Sequence, residues 1–390
     1  SSRVTATGAS YANAVAAHAL DFDDTCYDGI GHGSAVVWPA VLAAAERVNA
    51  SGAEALAGFV AGVEAEYAIG RAIGDHTYWS GWWNTALLGT LGAAAGAARV
   101  FRLDAEETAN AIRLAAAQPI GLRQVFCTTA KPHICGMAAL KGVWAAVSAR
   151  AGIDGPDLAF EGDRGLRKVL DLADAHIHAL HEEVGRRSVL GERGVAFKLY
   201  PVCSAAQAAM EAVAELMAEH GLDEPSVEKV VCEVTPLVHI SLVYHQPASV
   251  GEAQFSMPFG IAAILLTGGL HPDLLSESTI RDEKWRAAMG KLPLVHSNEL
   301  GATPEQRRDH PEAAVVKITT SDGRELVRHK GAATGMPANP MSDERLTAKF
   351  SLCAGRFMQA RHAEALRDRI MKLDELPSTR ALFDPAAWTD

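Results

Sequence analysis

The sequence predicts a mainly α-helical protein: a large all-helical body with a smaller α+β unit inserted into it. Three observations carry this. From about residue 8 to 150, Ala, Leu and Val recur at helical spacing between short glycine-bearing breaks. Runs that alternate or are β-branched come only later, at 227–238 and 313–330, the second broken by a "DG" turn. The closing stretch, "SDERLTAKFSLCAGRFMQARHAEALRDRIMKLDEL", returns to long amphipathic patterns.

The elements follow in order. "SAVVWPAVLAAAERVNA", "GAEALAGFVAGVEAEYAIGRAIG", "WNTALLGTLGAAAGAARVF", "DAEETANAIRLAAAQPIG" and "PHICGMAALKGVWAAVSARAG" read as five helices rich in Ala and Gly, residue types that permit close helix packing. "GTLGAAAG" (Gly89, Gly92, Gly96) lacks the preceding strand and the GK[ST] ending of a phosphate loop, so close packing is the better account. Between the two strand regions lie helical stretches, "AQFSMPFGIAAILLTGG" and "DEKWRAAMGKL". Residues 1–200 and 344–390 are therefore expected to form one helical body, with 201–343 as the α+β unit. The abrupt start, "SSRVTATGAS", leads us to expect that an N-terminal part is missing.

The 390 residues, 48% hydrophobic, suffice for two sizeable cores. The formal net charge is −11 and no Lys/Arg-rich run stands out, which argues against a nucleic-acid partner. No run approaches ~18 uninterrupted apolar residues, the length a membrane span needs, and no signal peptide is visible. Six scattered cysteines form no CxxC pair, which argues against structural zinc and iron–sulfur ligation and fits reduced thiols in the cytoplasm. "HIHALH" (His176, His178, His181) has loose metal-like spacing but lies in a polar segment that reads as a solvated face. No metal and no cofactor are expected.

Two stretches crowd together chemically active residues. In "AHALDFDDTCYDGIGHGS" (17–34), a helix ending near residue 25 would put His18, Asp21 and Asp24 or Thr25 on one face. The glycine-flanked loop would bring His32 beside that helix end. The stretch is either a solvated helix end or a carboxylate and an imidazole facing a cleft. In "TTAKPHICG", Pro132 suits the first turn of a helix, placing Lys131 and His133 at its N-terminus. There the free backbone N–H groups favour an anion, and a lysine adds attraction for a carboxylate. "GHGSA" is not the GxSxG of a serine hydrolase, and no strand precedes it.

These stretches, with "PAVLAAAE", "NTALLGTLGAAAGAA", "TAKPHICGMAALKG", "KLYPVC", "AQFSMPFGIAAILLTGG" and "NPMSDERLTAKF", resemble in order the MmgE/PrpD family. That family includes 2-methylcitrate dehydratases, cis-aconitate decarboxylases and iminodisuccinate epimerase. The resemblance implies a helical domain plus a smaller α+β domain, a cleft between them, a homodimer and no metal. It matches Asp21, Thr25, His32 and Lys131 to the family's active-site pattern, and His133 to the histidine two residues on.

Departures from the pattern stand out. Trp83, in "GWWNT", replaces an active-site histidine. Ser204 and Gln207 stand where an arginine and a histidine often follow "KLYPVC", and Phe259 stands where the family has a tyrosine. Trp83, Gln207 and Phe259, with Thr25, are expected to line a more apolar substrate pocket than that of an ordinary 2-methylcitrate dehydratase or cis-aconitate decarboxylase. Family reactions share abstraction or delivery of a proton beside a carboxylate, which needs a base on carbon and cations for the developing charge. Lys131 and His32 would supply positive charge, Asp21 would orient an imidazole or act as base, and His133 or Thr25 would serve a leaving hydroxyl. The expected activity is cofactor-independent proton abstraction on a small di/tricarboxylic or amino-dicarboxylic acid, of lyase (dehydratase/decarboxylase-like) type. An epimerase is the alternative, and a family member that only binds small acids is the third.

Overall fold

The computed structural model describes residues 4–383 except 74, 187, 193, 293, 297 and 298. It is mainly helical with a small α+β part. The ends of the predicted helical body, residues 1–3 and 384–390, lie outside the described residues.

The helical body is organised around the Asn84–Val100 helix, in which every residue except Arg99 is buried. Its glycines explain how. A Cβ on Gly92 would lie 2.8 Å from the Gly62 carbonyl oxygen, and one on Gly62 would lie 2.7 Å from that of Gly92. Gly58 and Gly96 repeat the reciprocal approach one turn away, at 3.1 and 2.9 Å. The Gly52–Ile73 and Asn84–Val100 helices therefore meet backbone to backbone, which only glycine at these four positions allows. Gly142 of the Ala130–Arg150 helix packs against Ala93 and Ala94 in the same way. Gly62→Ala is expected to cost about 1–3 kcal/mol through overpacking, measured as a lower urea midpoint.

The α+β unit carries a four-stranded sheet in the order β2-β1-β3-β4, with β1 Val227–Val234, β2 Leu294–His296, β3 Ala314–Thr320 and β4 Glu325–Lys330. β1 pairs antiparallel with β3 (Val230 opposite Ile318) and parallel with β2, and β3 turns into β4 at Asp322–Gly323, where Gly323 has φ 86°. Inward residues Val230, Cys232, Val316 and Ile318 share a core with Met210, Val213, Phe259 and Ile261, from the Gln207–His220 and Met257–Thr267 helices. The short parallel strand β2 was not legible in the sequence.

The closing Ala360–Met371 helix and the turns after it lie on the helical body. Leu366, Leu373 and Leu382 cluster with Leu42, and the Leu373 carbonyl sits where any Cβ on Gly52 would be.

Candidate active site

The Ala6–His18 helix stops seven residues short of the sequence expectation. Asp21 has φ 50°, in the left-handed region that Asp tolerates better than most residues. The chain turns there, and residues 21–25 run as a loop whose Thr25 pairs through its backbone with Ala196 (N–O 2.9 and 2.7 Å). That bridge brings Lys198 onto Asp21.

Lys198 Nζ donates to the Asp21 carbonyl at 2.9 Å and lies 3.1 Å from Asp21 Oδ2. From the opposite side, Lys131 Nζ donates to Asp21 Oδ1 at 2.6 Å. One carboxylate is thus held between two buried ammonium groups: Asp21 is 2% exposed, Lys131 5% and Lys198 2%. Burial pushes the Asp21 carboxyl up, but Lys131, Lys198 and His18 outweigh it and hold it below the usual carboxylate range.

The imidazoles extend this network. Burial lowers the His18 pKa more than Asp23 raises it, so the ring is neutral. Its Nδ1–H donates to Asp23 Oδ2 at 2.7 Å, and Nε2 accepts from the Lys131 ammonium at 2.5 Å. His32 is driven down to about 3, by burial first and against the pull of Asp23. Its Nδ1 must donate to the Asp24 carbonyl (2.6 Å), which leaves Nε2 with the lone pair. Burial and the Asp23 charge raise the Asp24 carboxyl to about 6. Among the described residues, His18, Asp23 and His32 are the one group near enough together to hold a metal, but both Nδ1 atoms and His18 Nε2 already have hydrogen-bond partners.

Asp21, His32 and Lys131 border a narrow cavity of about 40 Å³ between the helical body and the α+β unit. Asp21, Thr25, Tyr27, His32, Tyr78, Trp83 and Lys131 line it from one side, and Cys203, Ser204, Phe255 and Glu312 from the other. The Lys131 ammonium lies 5.4, 5.7 and 5.3 Å from the ring centres of Trp83, Phe126 and Phe255, inside an aromatic enclosure. A wider pocket of about 300 Å³ shares Tyr27, Ile30 and Leu237 with the cavity and carries Arg307 and Arg308. Behind the site, Lys349 of the Asp343–Ala354 helix donates to the Lys198 carbonyl at 2.8 Å and sits 4.0 Å over the Phe22 ring.

Residues 1–175 match the MmgE/PrpD N-terminal domain and residues 200–375 match the MmgE/PrpD C-terminal domain. The chain belongs to the MmgE/PrpD family. Among its relatives are cis-aconitate decarboxylases. The human protein is 25% identical over 392 residues, covering 97% of this chain and 79% of its own. The mouse protein is 24% identical over 417 residues, covering 98% and 80%, and the Aspergillus terreus protein is 23% identical over 407 residues, covering 96% and 80%. The chain is thus an enzyme of the MmgE/PrpD type.

Of the predicted site residues in this MmgE/PrpD chain, the structure brings together Asp21, Thr25, His32, Lys131 and Trp83, all lining one cavity. It does not bring three others there. His133 is exposed and its Nδ1 meets the Tyr11 hydroxyl at 2.8 Å. The helix begins at Ala130, so Lys131 and His133 are roughly 200° apart around its axis and face opposite ways. Phe259 is fully buried in the α+β core, stacked 5.1 Å from Trp285. Gln207 ties down the loop after Lys198: Oε1 accepts from the Leu199 and Tyr200 N–H groups, and Nε2 donates to the Tyr200 and Val202 carbonyls. Its influence on the cavity runs through that loop.

Sequence reasoning missed Lys198, Tyr27, Tyr78 and Glu312. Lys198 stood in "KLYPVC", where a lysine beside an aromatic and a proline was the available signal. Trp83 is 1% exposed and packs 5.4 Å from the His18 ring, so it is both wall and core. Trp83→His is expected to change substrate preference and also to lower the urea midpoint, since the smaller ring leaves a void. Unchanged preference with lost stability would make Trp83 a core residue only.

Proposed function

We propose that the protein is a cofactor-independent lyase, decarboxylase- or dehydratase-like, that moves a proton beside a carboxylate of a small di/tricarboxylic or amino-dicarboxylic acid. The observation that carries this reading is the Lys131 ammonium. It has three N–H donors, and His18 Nε2 and Asp21 Oδ1 take two. The third is left for a ligand in the cavity that Lys131 lines, within aromatic walls that keep the local dielectric low.

A substrate carboxylate accepting that N–H would gain negative charge as the neighbouring carbon loses its proton or its carboxyl group. A cation already fixed in place stabilises that charge without reorganising. Asp21 and His18 hold the lysine, Lys198 holds Asp21, and Asp23 holds His18. Decarboxylation of cis-aconitate, for which these relatives are named, is a reaction of this type and supports the lyase class. Arg307 and Arg308 line the adjoining pocket together with Asp28 and Asp75, and Arg308 is paired with Asp309. We extend the proposal to a homodimer in the cytoplasm.

Proton NMR in D2O with a panel of di- and tricarboxylic acids tests the reading. An alkene product is the expected result. Exchange beside the carboxylate without net product would replace the lyase by an isomerase, and neither would leave a protein that only binds small acids.

A further inference from the structure

Asp21, first expected to orient an imidazole or act as base, is poorly placed to move the proton. It is held between two lysines, while His18 Nε2 accepts from Lys131 and His32, driven down to about 3 by burial, takes up a proton only weakly. Across the cavity, on the segment leading into β3, stands a carboxyl group that forms no ion pair among the described residues. Glu312 is 3% exposed and lines the cavity beside the Tyr27 and Ser204 hydroxyls, yet neither its Oε1 nor the Tyr27 hydroxyl makes a well-formed hydrogen bond. A buried polar group left open in this way costs stability, unless something that enters the cavity completes it.

Resting on the lyase reading above, we infer that Glu312 is the proton-transfer residue. Its carboxylate takes the proton from the carbon beside the substrate carboxylate held by Lys131, and its carboxylic acid returns a proton to that carbon in the reverse step. The C–H electron pair stays on the substrate as an enediolate facing the Lys131 ammonium, and the proton becomes the Glu312 O–H, so the step is balanced without any co-reactant. Lys131 comes from the helical body and Glu312 from the α+β unit, so substrate between them has its charge on one side and its reacting hydrogen on the other.

The electrostatics fit the role. Burial raises the Glu312 carboxyl to about 7, with the Tyr27 and Ser204 hydroxyls and the Lys198 charge each pulling it back part of the way. A group poised there exchanges protons readily near neutral pH.

The test compares wild type with Glu312→Gln and Glu312→Asp, using whichever acid of the panel exchanges in D2O. Glu312→Gln keeps the volume and an oxygen for Tyr27, and is expected to lower the exchange rate about 10²–10⁴-fold while calorimetric affinity for the same acid is kept. Glu312→Asp is expected to recover part of the rate. The wild-type rate should rise with pH through about 7 as the carboxyl ionises, and the residual Glu312→Gln rate should lack that limb. Full exchange in Glu312→Gln, or an unchanged pH limb, overturns this inference and leaves the lyase reading standing. Absence of exchange in wild type with every acid, together with absence of product, overturns both.

Discussion

Lys131→Ala is expected to lower kcat by about 10²–10³, the typical loss when one preorganised electrostatic group is removed. Lys131→Arg should recover only part, because a planar fork of donors does not match the point ammonium that His18 and Asp21 hold. The sequence alone would have this lysine, at a helix entrance, contribute little packing and so be removable without structural cost. The structure corrects that: the side chain is buried against three aromatic rings and two polar partners. The alanine variant should therefore also lose stability, though Asp21 keeps Lys198 as a counter-charge. Rates must be compared per folded molecule, with circular dichroism and urea titration alongside. A folded Lys131→Ala enzyme with near-normal kcat would remove Lys131 from the mechanism.

The largest stability effect is expected at Asp21. Asp21→Asn keeps a residue type that tolerates φ 50° but takes the counter-charge from two buried ammonium groups. Removing one partner from a buried ion pair typically costs about 3–5 kcal/mol. Urea unfolding at pH 7 should show that loss. The pH dependence has a definite sign. The Asp21 carboxyl titrates lower in the folded protein than in the unfolded chain, so its contribution is complete above the unfolded value of about 4. It is lost as pH falls from there towards the folded value. Wild type should thus lose stability below about pH 4 more steeply than Asp21→Asn, with Asp23 supplying part of the limb that remains. Equal urea midpoints at pH 7 and equal acid limbs would mean that the lysines find other partners and that the clamp contributes nothing.

What the sequence revealed and what it hid follow from the range of the forces involved. The Ala- and Gly-rich helices were legible because their spacing is a local signal, and the backbone contacts of Gly58, Gly62, Gly92 and Gly96 vindicate the packing account over a phosphate loop. The helix expected to reach residue 25 stops at His18 because the next carboxylates answer to distant cations. Local periodicity carries no information about Lys131 or Lys198. The same blindness merged Lys131 with His133: a family pattern places both in sequence, but two residues on a helix turn the second away from the cleft. Glu312 was hidden for another reason. A lone acid before a strand looks like surface, and only the fold shows that it is buried opposite a lysine more than a hundred positions earlier.

The contact between Lys349 and the Lys198 carbonyl has a consequence in time as well as in space. Chains are made from the N-terminus and fold largely in that order. By the time Glu312 has emerged, every residue lining the cavity exists. The backbone carrying Lys198, already tied by Thr25 and Gln207, gains the Lys349 hydrogen bond, and the Phe22 ring beside Asp21 gains its cation, only when the helix bearing Lys349 arrives. A chain interrupted between residues 312 and 349 would hold every residue lining the cavity but lack the Lys349 brace. The helix bearing Lys349 thus closes over a stretch made well before it.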